Sequence, residues 1–143
     1  MPSQDQPSAA TATPVFINPS HLHDPTPNGY STAVIAPASG RLAFISGQGG
    51  QDRTGTLSPD FAPQVEQAYA SLAAVIDALG ARLDQVVKLT IFVVDHDMSK
   101  LGVLTENVTR MFGGNLPAQT LVPVPKLAID AMLFEVEAVV LLD

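Results

Sequence analysis

Residues 61 to 79 carry apolar side chains at intervals of three and four positions, which is the spacing of a helix with one buried face. Pro63 is compatible with this helix because it falls in the first turn, and Gly80 is placed to end it. A helix with one apolar face has to pack against another layer of structure. The residues of the predicted buried face are Val65, Ala68, Tyr69, Leu72, Ile76 and Leu79.

A strand and a second helix follow. Residues 86 to 94 are rich in β-branched side chains, which are typical of a strand. Residues 99 to 112 return to helical spacing, and the pair Gly113-Gly114 is expected to end this helix. Its predicted buried stripe consists of Leu101, Leu104, Val108, Met111 and Phe112.

The amino-terminal half predicts strands joined by turns. Residues 15 to 17 can begin a short strand, and residues 30 to 35 and 41 to 46 flank a Pro-, Ser- and Gly-containing turn. This arrangement predicts a hairpin between the latter two strands. We expect residues 47 to 57 to form a Gly-rich loop.

Two more strands complete the predicted sheet, at residues 120 to 124 and 132 to 142. Pro123 and Pro125 cannot donate to a central ladder, so the first of these strands is expected at an edge or a bulge. The order of elements predicts an α+β fold in which two helices pack on one face of a single mixed sheet.

Length and composition predict one domain, over residues 15 to 143. The chain has 143 residues, of which 46% are hydrophobic and 15% charged. Residues 1 to 14 have almost nothing to bury, so we expect a disordered tail there rather than a secretory signal. Six Phe and no Trp leave a mainly aliphatic core, which suggests that part of the apolar surface is buried between subunits.

The charge balance bears on partners and location. The net charge is −7, with only seven Lys and Arg spread along the chain. Nucleic-acid affinity depends on clustered basic residues that release counterions, so we expect no nucleic-acid partner. No window is apolar enough for a membrane span, and an anionic membrane surface is disfavoured. The chain has no cysteine, which excludes thiolate chemistry, and the cytoplasm is the default location.

Glu135 and Glu137 are the most specific candidates for a catalytic role. They are two positions apart in an otherwise apolar strand, so both side chains are expected on the same face of the sheet. One interpretation is that this face is solvated at one end. The other is that one carboxylate lies in a cleft, and the residues alone do not say which of the two it is.

Other motifs are weaker. The Gly-rich segment 46–50 could present backbone N–H groups to an anion, or it could simply be a flexible exit from a strand. The segments 21–24 and 95–97 contain His and Asp, but neither has the three or four converging ligands that a metal site needs. We therefore interpret them as solvated loops and expect neither a metal nor a cofactor.

Four segments together resemble one known family. They are Phe44-Ile-Ser-Gly-Gln48, the run from Gly80 to Asp95, Asn115-Leu-Pro-Ala-Gln-Thr-Leu-Val-Pro-Val-Pro-Lys-Leu-Ala128, and Leu133-Phe-Glu-Val-Glu-Ala138. Each is weak alone, but their order and spacing resemble the Rid (RidA/YjgF/UK114) family over residues 15 to 143. The resemblance implies a chorismate-mutase-like fold and a barrel-like homotrimer with clefts between neighbouring subunits.

The resemblance also implies site residues. Glu135 would position the hydrolytic water, Ser46 and Gly47 would line the cleft, and Tyr30 would lie across the subunit boundary. Leu121 stands where many deaminase members have a cysteine, and Thr105 where they often have an asparagine.

Gln119 is the main departure from the family pattern. Members usually have an arginine here, which binds the carboxylate of a reactive imine. A neutral amide cannot make that charged, bidentate contact. Two alternatives stay open: a different ligand, for example a neutral one, or drift in a site that has lost its activity.

The implied function is that of a metal-independent imine or enamine deaminase-type hydrolase that acts on a small molecule. Its specificity would differ from that of relatives with the arginine. The alternative is a non-catalytic ligand sensor or interaction protein that kept the pocket.

Overall fold

The computed structural model describes residues 13–143. The predicted tail therefore lies outside the described residues except for Thr13 and Pro14. Short 3₁₀ turns at 26–28, 83–85 and 98–100 lead into longer elements or loops. The elements in chain order are β1 (Val15–Ile17), β2 (Ala33–Ile35), β3 (Arg41–Gly49), α1 (Phe61–Ala78), β4 (Val86–Val94), α2 (Leu101–Phe112), β5 (Ala118–Val124) and β6 (Phe134–Leu142).

The main sheet has four strands in the order β3-β6-β4-β5. β4 and β5 run parallel, whereas β6 is antiparallel to both β3 and β4, so the sheet is mixed as predicted. β5 lies at the edge, in agreement with the prolines at 123 and 125. The predicted α+β class with two helices is confirmed.

The predicted hairpin of β2 with β3 is wrong, and so is the single sheet. β2 pairs with β1 in a separate two-stranded sheet. The Ser31 N–H donates to the Pro117 carbonyl at 3.0 Å, and Ser31 forms a parallel bridge with Ala118. This contact ties the segment to the β5 side of the main sheet, whereas β3 lies at the opposite edge.

The core lies between the main sheet and the two helices. Alternate residues of β4 and β6, such as Leu89, Ile91 and Val136, are buried against Leu72 of α1 and Val108 of α2. Two predicted core residues fall outside this cluster. Leu79 lies beyond the end of α1, and Leu101 lies in the first turn of α2, so both remain exposed.

Two buried polar residues of α1 differ in how they are satisfied. Gln64 donates from Nε2 to the carbonyls of Ser58 (2.7 Å) and Ala131 (2.9 Å), and its Oε1 accepts from the Leu133 N–H at 2.9 Å. Tyr69 stacks on Phe134, but its hydroxyl has no hydrogen-bond partner within residues 13–143. Burial raises the pKa of the Tyr69 hydroxyl.

The helices are short or amphipathic. None of those formed by residues 13–143 is long and apolar enough to cross a membrane.

Candidate functional site

Gln119 and Leu121 point from β5 toward the helix layer. In the parallel register Gln119 is beside Leu89 and Leu121 is beside Ile91, and both partners are core residues. Between this part of the sheet and α2 is a cavity of about 310 Å³. It is lined by Asn28, Tyr30, Ile91, Leu101, Leu104, Thr105, Gln119 and Leu121.

The loop before β2 brings Tyr30 to this cavity. Gly29 has a φ of +91°, and a Cβ added there would lie 2.5 Å from Val108 Cγ1. Glycine therefore allows both the turn and the close approach of the loop to α2. Thr105 Oγ1 donates to the Asn28 carbonyl at 3.4 Å, which joins the loop to the helix a second time.

The cavity has polar groups but no charged side chain among its lining residues. Gln119 Oε1 is buried and has no hydrogen-bond partner in the described part of the chain. The remaining polar groups belong to Asn28, Tyr30 and Thr105, and the walls are aliphatic. Such a cavity suits a small, largely neutral ligand.

A second group of predicted site residues lies around a β-bulge in β3. The register between β3 and β6 shifts between Ile45 and Gln48, so Ser46 and Gly47 together oppose one residue of β6. A bulge leaves its extra residue outside the regular ladder, and bulges are frequent next to active sites. The strand continues to Gly49, so the predicted loop begins later than expected.

Glu135 reaches back over this bulge. A Cβ added to Gly47 would lie 2.5 Å from Glu135 Oε1, so the carboxylate occupies the space that any larger residue at 47 would need. Glu135 is beside Phe92 and Glu137 is beside Thr90 in the ladder with β4. Both carboxylates are thus on the same face of the sheet, as predicted, and the structure shows that this is the face away from the helices. Glu135 is half-buried and Glu137 is exposed.

The predicted site residues therefore form two groups on opposite faces of the sheet. Tyr30, Thr105, Gln119 and Leu121 line the cavity on the helix side, whereas Ser46, Gly47 and Glu135 lie on the other side. Within one chain the two groups do not share a pocket.

Sequence reasoning missed four cavity residues. Asn28 looked like an ordinary turn residue before Gly29, and the aliphatic residues Ile91, Leu101 and Leu104 looked like core. Only the exposure of Leu101 at the start of α2 distinguishes it from the rest of the predicted stripe, and the sequence carries no signal for it.

The His- and Asp-containing loops are organised by turn hydrogen bonds. Asp24 accepts from the Thr26 N–H and hydroxyl, and Asp97 accepts from the Ser99 N–H and hydroxyl. These bonds lower the pKa of both carboxyls. In residues 13–143 no three His, Asp or Glu side chains lie close enough together to hold a metal ion.

Most of this chain matches a known protein family. A family model described as Endoribonuclease L-PSP matches residues 22–142. The chain belongs to the Rid family. The family inferred from the sequence motifs is thus confirmed.

Individual Rid relatives cover most of the chain. A RutC family protein of Pyrococcus horikoshii is 34% identical over 118 residues, which is 80% of this chain and 89% of the relative. A protein of Rattus norvegicus named 2-iminobutanoate/2-iminopropanoate deaminase is 33% identical over 112 residues, which is 77% of each chain. The crystal structure of the Rid protein YyfB from Yersinia pestis, described as of unknown function, superposes with a TM-score of 0.86. It is 30% identical and the match covers 91% of this chain and 99% of that one.

Proposed function

We propose that this Rid protein is a homotrimer that hydrolyses a small imine or enamine in clefts between its subunits. Membership of the Rid family supports this proposal, as do relatives named 2-iminobutanoate/2-iminopropanoate deaminase. The observation that carries the assembly is the separation of the two residue groups by the sheet. A cleft that combines the Gln119 cavity of one subunit with the Glu135 group of a neighbour would reunite them.

Glu135 is the proposed catalytic residue. Its carboxylate would accept a proton from a water molecule as the water oxygen bonds to the imine carbon and the imine nitrogen is protonated. The resulting carbinolamine then breaks its C–N bond, so imine and water become a carbonyl compound and ammonia. Ser46 and the backbone N–H at Gly47 would bind an oxygen, such as the one that water adds to the imine carbon, and the bulge keeps this backbone beside the carboxylate.

Gln119 would set the specificity. An arginine at this position could bind a carboxylate with two charged hydrogen bonds, whereas Gln119 leaves the cavity without a cation. We therefore propose an imine that lacks a free carboxylate as the substrate of the wild-type protein.

A non-catalytic ligand sensor is the second candidate. It is favoured by the same uncharged cavity, because a protein that has lost the usual binding group can keep the fold and the pocket without the reaction.

The test uses a neutral aldimine made in place by an amine oxidase from a primary amine. We expect the wild type to accelerate ammonia release, measured in competition with semicarbazide, and Glu135→Gln to lose about 10²- to 10⁴-fold of that acceleration, the usual range for a general base. Glu137→Gln is the matched control, since Glu137 lies on the same face but is exposed. Saturable binding of amine-derived ligands without any acceleration would instead favour the sensor.

A further inference from the structure

Lys88 and Lys100 have their partners outside the cavity beside β5. Lys88 Nζ, on the opposite face, donates to Thr120 Oγ1 at 2.9 Å. Lys100 Nζ donates to the Val94 carbonyl at 3.1 Å and lies 5.3 Å from the centre of the Phe61 ring. Neither lines the cavity, so no described cation of the chain balances an anion there.

The side-chain amide of Gln119, in this cavity, leaves a hydrogen bond unmade. Its Oε1 is buried and has no hydrogen-bond donor within residues 13–143. A buried acceptor without a donor is unfavourable, so a ligand that supplies an N–H gains the bond that the protein leaves unmade. A carboxylate has only acceptors, so in either orientation of the amide it leaves the Gln119 oxygen without a donor.

The geometry of a side-chain amide narrows the ligand further. One end of the group accepts and the other donates two hydrogens. A half-turn about the Cγ–Cδ bond exchanges the oxygen and the nitrogen, which then occupy nearly the same two positions as before. In either orientation the complementary group is one that both donates and accepts, with the spacing of another amide.

We propose that the cavity recognises a primary carboxamide, or an equivalent neutral group with a donor beside an acceptor, at the position where an arginine would bind a carboxylate. The inference deepens the proposed function, since it assumes that this cavity is the ligand-binding part of the site. Two reciprocal hydrogen bonds would join the ligand amide to Gln119, while Leu104, Leu121 and Ile91 enclose the carbon skeleton.

The test compares two stable ketones that differ only in the recognised group, 2-oxopropanamide and 2-oxopropanoate. Both are titrated into the full-length protein and followed by NMR of the Gln119 side-chain amide. We expect the amide to bind roughly tenfold or more tightly than the acid, because the acid leaves the Gln119 acceptor unpaired. We also expect only the amide to shift the Gln119 side-chain resonances on saturation.

Two variants test whether Gln119 causes the preference for the amide ketone. Gln119→Met keeps the length of the side chain without its hydrogen bonds, and we expect it to abolish the preference between the ketones. Gln119→Glu keeps the shape but accepts only, and we expect it to weaken 2-oxopropanamide without favouring 2-oxopropanoate. Equal affinities in the wild type, tighter binding of the acid, or no saturable binding of the amide would each overturn the proposal.

The result of the ketone-binding test can be distinguished from the result of the aldimine-hydrolysis test of the proposed function. Ketone binding needs no turnover, so a protein that prefers the amide but fails to accelerate aldimine hydrolysis would refute the enzyme and keep the recognition. Turnover of aldimines with no preference for the amide ketone would refute the recognition and keep the enzyme.

Discussion

At position 47 the backbone of β3 passes so close to the Glu135 carboxylate that there is no space for a Cβ. The contact depends on the bulge at Ser46 and Gly47, which brings an extra residue of β3 opposite β6. Glycine at position 47 therefore meets a steric requirement that the Glu135 side chain imposes, and no local backbone preference explains it.

We expect Gly47→Ala to lower aldimine hydrolysis by about 10²-fold, because displacement of a reacting group by roughly 1 Å can have an effect of this size. Stability should change little, since the displaced atoms are the far end of a flexible side chain. Steady-state kinetics and thermal unfolding measure the two effects. Gly114→Ala is the control, because a Cβ there meets nothing within 4 Å. Full activity of Gly47→Ala would contradict the proposed role of Glu135 in the reaction.

The second prediction concerns Gln119. Loss of a bidentate charged contact weakens transition-state binding by about 2–4 kcal/mol, or roughly 30- to 1,000-fold in rate. The wild type should therefore be nearly inactive on 2-iminopropanoate compared with a relative that has the arginine. Gln119→Arg should recover part of this activity.

The imine for this assay is generated in place by an amino-acid oxidase, and its scavenging is followed. Addition of Glu135→Ala to Gln119→Arg should abolish the recovery. Wild-type activity equal to that of an arginine-containing relative would show that position 119 does not recognise the carboxylate.

At the scale of elements, α1 does more than cover the sheet. Gln64 holds the carbonyl of Ala131 and the N–H of Leu133, immediately before β6 begins. Its Cα and Cβ also lie against Gly50, just after β3 ends. The helix thereby fixes the ends of both strands that present the Glu135 group.

We expect Gln64→Ala to lower the free energy of unfolding by about 2–4 kcal/mol, because it leaves buried backbone groups unpaired. Urea denaturation measures the change. Gln67→Ala, on the same helix, should stay within about 0.5 kcal/mol of the wild type, because the Gln67 side chain bonds only to Ser71 Oγ, at 3.3 Å, within residues 13–143. Similar values for the two variants would mean that the Gln64 bonds are not stabilising.

At the scale of the whole molecule, the side of the main sheet away from the helices keeps apolar residues in contact with solvent. Phe44 is 74% exposed and Leu42 is 53% exposed, on the strand that carries Ser46 and Gly47. Exposed apolar groups of this kind are typical of a surface that a partner covers. The proposed partner is a second copy of the chain.

Light scattering coupled to gel filtration should give about three times the chain mass of 15.0 kDa. Phe44→Asp should dissociate the assembly, because a carboxylate would be buried without a partner. Leu79→Asp, at an exposed apolar position beyond the end of α1, should leave it intact. A wild-type monomer at micromolar concentration would contradict both the trimer and the cleft between subunits.

The name of the matching family includes endoribonuclease, but the acidic charge of the whole molecule disfavours RNA binding. With a net charge of −7, we expect no useful affinity for a labelled single-stranded RNA at physiological salt in fluorescence polarisation. Submicromolar binding that weakens steeply with added salt would contradict this expectation.

The sequence by itself determined the helices, most strands and the family, and it limited β5 to an edge or a bulge. These features follow from local periodicity, from the missing N–H of proline and from motifs whose order survives divergence. It also placed Glu135 and Glu137 on one face, because side chains alternate along any strand.

Only the tertiary structure decided which strands pair and which residues meet. The bond from Ser31 to Pro117 is between residues far apart in the chain, so the pattern around β2 could not exclude a hairpin with β3. The same holds for the cavity, where Asn28, Thr105 and Gln119 come from three separate segments. The separation of Gln119 from Glu135 by the sheet depends on the register of β5 and β6 with β4, which long-range packing sets and no local pattern records.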